Sequence, residues 1–547
     1  MKSGMNGAES LARTLVACGV DTCFANPGTS EMHFVSALDR VAGLRCVLGL
    51  AETVVAGCAD GYARMAGKPA ATLFHCGPGL GNAIANLHNA KRAHTPIVNI
   101  VGDHATYHRQ YDAPLATDTE GLARTVSTWV RTSENSKSVG TDAAAAVQAA
   151  RTPPGGTATL ILPADCAWDE GGEPGTPLAP AVRAAVAPAT IRTIAAALRS
   201  GQPAMLVLSG VALGEAGLKA ANRIAHATGA QLRTPTQVPF MARGQGRVPV
   251  DRIPYVVDAA LKVLGGTKHL VLAGAKAPVG FFAYPGKPST LWPEDCAVHR
   301  LADVGEDIVG ALQALADELG ATKDAPVRND VAKPELHGGP FKPEAFGLTL
   351  AALLPENAIV AEDAVTSGRA LFPLTWGAAP HDWIQITGGA IGHAFPAATG
   401  AAIACPGRKV VCLQADGAGM YSLQALWTQA REKLDIINVV FANRRYAILQ
   451  GELAAIVRDG KCGVATPTGD ASALRAAIEQ LQRRPEWRWA MGQRARQLLV
   501  KRYGTGTAMQ KWSQLLLTTR PTAVGVRSHT VDGAVSLSPA AARHTTA

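Results

Sequence analysis

Two apolar runs flanking one helical stretch constrain this chain more than any other feature. Lys409-Val410-Val411-Cys412-Leu413 precedes Gln414-Ala415-Asp416-Gly417-Ala418-Gly419, and Ile436-Ile437-Asn438-Val439-Val440-Phe441 precedes Ala442-Asn443-Arg444-Arg445. Between them, Tyr421 to Leu434 carries Leu423, Leu426, Trp427 and Ala430 at helical spacing. Strand, helix and strand in this order predict a parallel sheet. Asp416 and Asn443 then fall just past the carboxyl ends of neighbouring strands, where open α/β sheets bind ligands. A carboxylate, an amide oxygen and a tight glycine turn offer oxygen ligands for Mg²⁺ holding a diphosphate. An Asp-Gly turn and a loop Asn with no ligand would give the same letters.

The amino-terminal third carries a second set of motifs. Asn26-Pro27-Gly28-Thr29-Ser30-Glu31 is followed by Leu50-Ala51-Glu52-Thr53, by Ala59-Asp60-Gly61-Tyr62-Ala63-Arg64, and by His75-Cys76-Gly77-Pro78-Gly79-Leu80-Gly81-Asn82. With these in order, the chain resembles the thiamine diphosphate enzymes of the acetolactate synthase, pyruvate oxidase and benzoylformate decarboxylase group, over roughly residues 5 to 455. The resemblance implies an α/β fold of three domains, each a parallel sheet flanked by helices. It also implies thiamine diphosphate and Mg²⁺ as cofactors and a small 2-oxo acid as substrate. Glu52 matches the glutamate that bonds the cofactor's aminopyrimidine and promotes its reactive tautomer. Apolar neighbours on both sides predict a partly desolvated carboxylate there. Asp416 and Asn443 match the metal motif, with Ala415 and Ala442 replacing its flanking Gly and first Asn; Arg445 would offer its carbonyl oxygen to the metal.

Other contacts follow from the same resemblance. Pro27 and Gly28 would lie by the pyrimidine. Gly389 would accept from its amino group, and Ile391 would hold the cofactor bent. Thr366 and Ser367 would grip the diphosphate, together with the backbone of Gly417 and Ala418 at a helix start. The family often has a hydroxyl residue where Ala418 stands. In the family, Glu52 and the metal site of one cofactor come from different subunits, which implies a homodimer or homotetramer. The middle domain of some members carries FAD; these residues leave FAD open.

His75 and Thr29 bear on the reaction. Benzoylformate decarboxylase has an active-site histidine where His75 stands and a substrate-contacting serine where Thr29 stands; acetolactate synthases usually have a small residue in place of the histidine. That decarboxylase also has a second histidine in its middle domain, where this chain has Ala283. Phe281, Phe282 and Tyr284 could line an acyl pocket or belong to the core. Overall resemblance favours decarboxylation with carboligation, as in acetolactate synthase; His75 and Thr29 favour decarboxylation to an aldehyde. A catalytically inactive assembly protein is the reading from another class.

Several functions are disfavoured. Gly77-Pro78-Gly79-Leu80-Gly81 misses the dinucleotide fingerprint. Ten cysteines show no Cys-x-x-Cys, so zinc and disulfide frameworks lack support, and Cys76 reads as a small turn-packing residue. No apolar run approaches a membrane span, and the amino terminus holds only a short amphipathic helix, Leu11 to Cys18, so a cytoplasmic location is expected.

Polar linkers predict the organisation. With the resemblance, they imply a pyrimidine-binding domain over 1–170, a central domain over 185–320, and a diphosphate and metal domain over 335–455 that is truncated at its end. Pro203–Gly210 and His269–Gly274 read as buried central strands. Residues 456–547 hold 14 Lys/Arg against 5 Asp/Glu, which accounts for the whole net charge of +9. This tail, 456–525, reads as an atypical basic helical unit, with helices Ala471 to Arg483 and Pro485 to Tyr503. It resembles the carboxy-terminal end of GT-B glycosyltransferases, through Gly463-Val464-Ala465-Thr466-Pro467-Thr468-Gly469-Asp470, but has none of their donor-binding sheet. Its charges read as solvated helix faces with Trp487, Trp489 and Trp512 as packing residues, so no nucleic-acid partner is expected. Residues 526–547 read as disordered.

Overall fold

The structure, a computed structural model, describes residues 4–327, 329, 331–336, 343–443, 446–449, 458, 460–466, 470–498 and 500–501. The chain divides into two compact units, Met1–Arg445 and Tyr446–Ala547. Trp512, Tyr503, residues 526–547 and Arg445 lie outside the described residues.

Three sheets make up the first unit. The first has β1 (Thr22–Asn26), β2 (Arg45–Leu48), β3 (Ala70–Phe74), β4 (Ile97–Asp103), β5 (Trp129–Thr132) and β6 (Thr157–Pro163), in the order β2-β1-β3-β4-β6-β5. Every pairing in it is parallel. Its central strands are buried on both faces, as their unbroken apolar runs require. The helix expected at Leu11–Cys18 spans Gly7–Ala17, because the Asn6 side chain caps it by accepting from Glu9 N at 2.9 Å.

The second sheet has β7 (Ala204–Leu208), β8 (Gln231–Thr234), β10 (Asp251–Arg252), β11 (His269–Ala273) and β12 (Ala297–Ala302), in the order β10-β8-β7-β11-β12. The third has β13 (Ile359–Asp363), β14 (His381–Gln385), β15 (Val410–Ala415) and β16 (Ile436–Phe441). Its order is β16-β15-β13-β14-β9, where β9 (Met241–Arg243) comes from the central stretch of sequence and pairs antiparallel with β14. Arg243 is fully buried, its guanidinium carbon 3.4 Å from the Phe372 ring centre and 4.2 Å from that of Trp376. Those aromatic faces attract the cation in place of a carboxylate.

One expected helix differs. Tyr421–Leu434 contains a helix only over Ala425–Arg431, and Leu423, Leu426 and Trp427 are exposed. Its buried positions are Ala425, Thr428 and Gln429. The apolar spacing is real, but that face of the helix points away from the sheet within this chain.

In the second unit, helices Ala471–Arg483 and Pro485–Leu498 are present, the first capped by Asp470, whose side chain accepts from Ala473 N at 2.9 Å. Trp487 and Trp489 do not pack as expected: Trp489 is 71 % exposed, and Ala477 is the only buried residue described in the two helices. Among the described residues, no helix is long and apolar enough to cross a membrane.

Candidate functional site

Strand order fixes where each sheet opens. In the first sheet the chain runs from β1 outward to β2, then returns to place β3 on the other side of β1. The crevice of such a sheet opens between β1 and β3. Asn26 pairs with Phe74, so Pro27 and His75 leave the sheet side by side. His75 Nδ1 lies 2.9 Å from Glu31 Oε2, which also accepts from Gly28 N at 2.8 Å. The Ser30 hydroxyl donates to Glu31 Oε1 and lies 3.1 Å from Cys76 Sγ. Burial pushes the Cys76 thiol up to about 11, so its S–H is available to Ser30. The chain of donors assigns the His75 Nδ1 proton to Glu31 and leaves Nε2 for chemistry.

Glycines make room for this cluster. A Cβ on Gly28 would sit 2.3 Å from His75 Nδ1, and one on Gly102 would sit 1.7 Å from Glu31 Oε1. Glu31 is 3 % exposed, whereas the His75 side chain is 26 % exposed. Pro27 and Gly28 are half-buried, and Thr29 is exposed on the short turn Thr29–Glu31. Glu52 opens helix Glu52–Ala66, half-buried, accepting from Asn82 Nδ2 at 3.3 Å, and a Cβ on Gly79 would lie 3.1 Å from its Oε1.

The third sheet opens between β13 and β15 by the same rule. Ala415 pairs with Phe441, so Asp416 and Asn443 follow aligned strand ends. Asp416 Oδ1 accepts from Gly417 N at 2.9 Å, and Ala418 is buried in the short helix Asp416–Gly419. Thr366 and Ser367 are half-buried beyond β13, just after Val365 at φ +48°. A β-branched residue in that region is strained, a condition that collects at ligand loops.

The loop carrying Gly389 and Ile391 is held from three sides. Asn89 Oδ1 accepts from Gly388 N at 3.0 Å and its Nδ2 donates to Ala390 O at 2.8 Å. Asp363 Oδ2 accepts from Gly392 N at 2.7 Å and His393 N at 3.0 Å, while burial raises the pKa of its carboxyl. Arg64 donates to Gln385 O at 2.7 Å and to Thr387 Oγ1 at 3.2 Å. Arg64 in turn meets Asp60 at 2.5 Å, and Asp60 accepts from Thr95 Oγ1 at 2.6 Å and lies 2.8 Å from His393 Nε2. Gly389 and Gly392 have φ of +76° and +92°, which other residues rarely adopt. Phe281 and Phe282 are exposed rather than core, and Phe281 Cζ lies 3.1 Å from where a Gly389 Cβ would stand.

The geometry brings Pro27, Gly28 and His75 to one rim, and Asp416 and Asn443 to another. A carboxylate and an amide on aligned strand ends, beside a left-handed glycine loop pinned by three side chains, fit a Mg²⁺-bound diphosphate. Sequence reading missed Glu31, Asn89 and Asp363. Glu31 closes the Asn26–Glu31 motif but stands 44 positions before its partner His75. Only the strand order brings the two together.

Comparison with known proteins agrees with this layout. Residues 5–123 match the thiamine pyrophosphate enzyme N-terminal TPP binding domain, and residues 364–479 match the C-terminal TPP binding domain. The second match passes residue 455, where the resemblance was expected to end, and reaches into helix Ala471–Arg483. The chain is 51 % identical over 454 residues to the "Putative acetolactate synthase large subunit IlvX" of Mycobacterium tuberculosis H37Rv, covering 83 % of this chain and 87 % of that one. It is 27 % identical over 461 residues to benzoylformate decarboxylase of Pseudomonas aeruginosa PAO1, covering 79 % and 85 %. In fold it is similar to the thiamine diphosphate-dependent 4-hydroxybenzoylformate decarboxylase of Rhodococcus jostii RHA1, with a TM-score of 0.74 at 22 % identity, covering 85 % of this chain and 90 % of that one.

Proposed function

Because this chain belongs to the thiamine pyrophosphate enzyme family, we propose that it decarboxylates a small 2-oxo acid and returns a proton to the product through His75, releasing an aldehyde. The observation that carries the reading is the His75–Glu31 pair at the β1/β3 crevice. Bound cofactor supplies a nucleophilic carbon and a sink for the electron pair left when CO₂ departs.

The chain's own residues do the rest. Asp416 and Asn443 would hold the Mg²⁺ of the diphosphate, a role that the family resemblance also gives to the Arg445 carbonyl, and Thr366 and Ser367 would bind the diphosphate oxygens. Gly389 and Ile391 set the cofactor's conformation, with Pro27 and Gly28 beside the pyrimidine. Glu52 shares a proton with the pyrimidine ring. Glu31 fixes the His75 ring, so that Nε2 delivers or accepts the proton at the reacting carbon. Thr29 and the exposed Phe281 and Phe282 contact the substrate. Glu52 of one subunit and the metal site of another serve the same cofactor, so a homodimer is the smallest active form.

A second reading, carboligation to an acetolactate-type product, draws on the 51 % identity to the IlvX protein and on Ala283 in place of a second histidine. Incubation with pyruvate and with benzoylformate, scoring CO₂, aldehyde and acetolactate, separates the two. Aldehyde as the main product, reduced in His75→Gln, supports the first; acetolactate formation unaffected by His75→Gln replaces it with the second. No binding of thiamine diphosphate at millimolar concentration with Mg²⁺ would sink both.

A further inference from the structure

At the β1/β3 crevice the Glu31–His75 pair stands beside the Cys76 thiol, which the proposed reaction does not use. Glu31 Oε, His75 Nδ1 and Cys76 Sγ all lie within 4.8 Å of one another. Ser30 Oγ stands among them, 3.1 Å from both the nitrogen and the sulfur. Four tetrahedral donors around a zinc-sized ion are spaced about 3.3–3.8 Å apart, given bonds of about 2.0–2.3 Å. The separations of 2.9 and 3.1 Å fall just short of that spacing, and no two of the three side chains' donor atoms are more than 4.8 Å apart, so small side-chain shifts would close the shell.

We propose that Glu31, His75 and Cys76 form a binding site for a single thiophilic divalent cation of the zinc class, which holds His75 Nδ1 and breaks its hydrogen bond to Glu31.

The donor types select the metal. A thiolate and an imidazole favour Zn²⁺ or Co²⁺ over Mg²⁺, whereas the oxygen set at Asp416 and Asn443 has the opposite preference. The two sites therefore divide the cations between them. Glu31 and Cys76 are buried, and the partly exposed edge of His75 gives the entry path. Three protein donors leave a fourth position for Ser30, water or a substrate carboxylate. On binding, the S–metal bond replaces the S–H bond and that proton leaves to solvent, while the metal takes Nδ1 and the ring carries its single proton on Nε2 instead. Sequence spacing hid the site, because its donors come from two segments joined only by the pairing of β1 with β3.

Binding stands apart from the proposed reaction; only the loss of activity that follows from it rests on that reading. The test is titration of the full chain with Co²⁺ in the presence of millimolar Mg²⁺. A near-ultraviolet cobalt–thiolate band and visible bands of a tetrahedral centre should saturate at one equivalent, and Zn²⁺ should erase them. Cys76→Ser should remove the thiolate band. His75→Gln, whose amide can still bond Glu31 and so preserves the fold, should weaken binding by about tenfold or more. Asp416→Asn should leave the bands intact while weakening thiamine diphosphate binding, which keeps the two sites distinguishable. The proposal is overturned if no thiolate band develops at millimolar Co²⁺. It is equally overturned if the band survives in Cys76→Ser, which would place the metal on another cysteine.

Discussion

Removing the Asp60 carboxylate should loosen both the fold and the cofactor loop. Asp60 is fully buried in the middle of helix Glu52–Ala66. Burial alone would raise its pKa, but the Arg64 guanidinium and then His393 outweigh that and hold it at about 2, against an ordinary 3.8. A depression of that size corresponds to about 2.5 kcal/mol favouring the charged form. Asp60→Asn forfeits that term and also leaves the Arg64 side chain, 3 % exposed, without its counter-charge. Breaking a buried pair from one side costs about 3–5 kcal/mol. The melting temperature should fall by about 5 °C or more.

The pH dependence has a fixed sign. A depressed carboxylate contributes its full stability above the unfolded pKa near 3.8 and loses it as pH falls through about 2. Asp60→Asn should therefore flatten the acid limb of the stability curve between about pH 4 and pH 2. Because Arg64 also holds Gln385 and Thr387, thiamine diphosphate affinity should drop about tenfold, as for other supporting contacts. Thermal melts from pH 2 to 7, with calorimetric cofactor titrations, measure both effects. Adding Arg64→Met should restore much of the loss by removing the orphaned charge. A single variant that melts within a degree of the parent at pH 7, or a double variant that is worse than both single changes combined, would refute the reasoning.

Other outcomes follow from the crevice residues. Glu52→Gln should keep thiamine diphosphate binding within a few-fold while lowering turnover by about 10²–10⁴, read by calorimetry against CO₂ release. Asp416→Asn should do the reverse, raising the Mg²⁺ and cofactor concentrations needed for half-saturation. Gly102→Ala should act on His75 at a distance, since the new methyl would stand 1.7 Å from Glu31 Oε1 and must displace that carboxylate. It should cost about 1–3 kcal/mol of stability and lower turnover by releasing the His75 ring from Glu31.

Legibility in the sequence followed the range of the interactions. Asp416 and Asn443 could be found because each directly follows its own apolar run, and the register of β15 with β16 then aligns them. The buried central strands of the second sheet were legible for the same reason: Val and Leu runs that face no water on either side cannot be surface strands. Glu31 was not legible, because a carboxylate following a turn looks like an ordinary surface acid until β3 brings His75 against it. Asp60 and Arg64 had a readable signal, an acid and a base four residues apart inside an apolar helix, but their partners on β14 and its loop are more than 300 positions away. The exposed face of Ala425–Arg431 shows the converse, where periodic apolar residues were present without burial. Spacing specifies which residues share a face, not whether that face is covered.

Strand β9 changes what kind of evolutionary unit this chain is. The sheet that offers Asp416 and Asn443 is completed by three residues, Met241–Arg243, that are translated well before β13. Recombination at the polar linker near residue 330 would hand the later segment on without that strand. β14 would then present an open hydrogen-bonding edge, and the rings of Phe372, Trp376 and Trp383 would lose the guanidinium they surround. The central segment thus has a structural reason to stay joined to the one carrying Asp416 and Asn443, whether or not it binds anything itself. Its retention in a lineage is no sign of a ligand there.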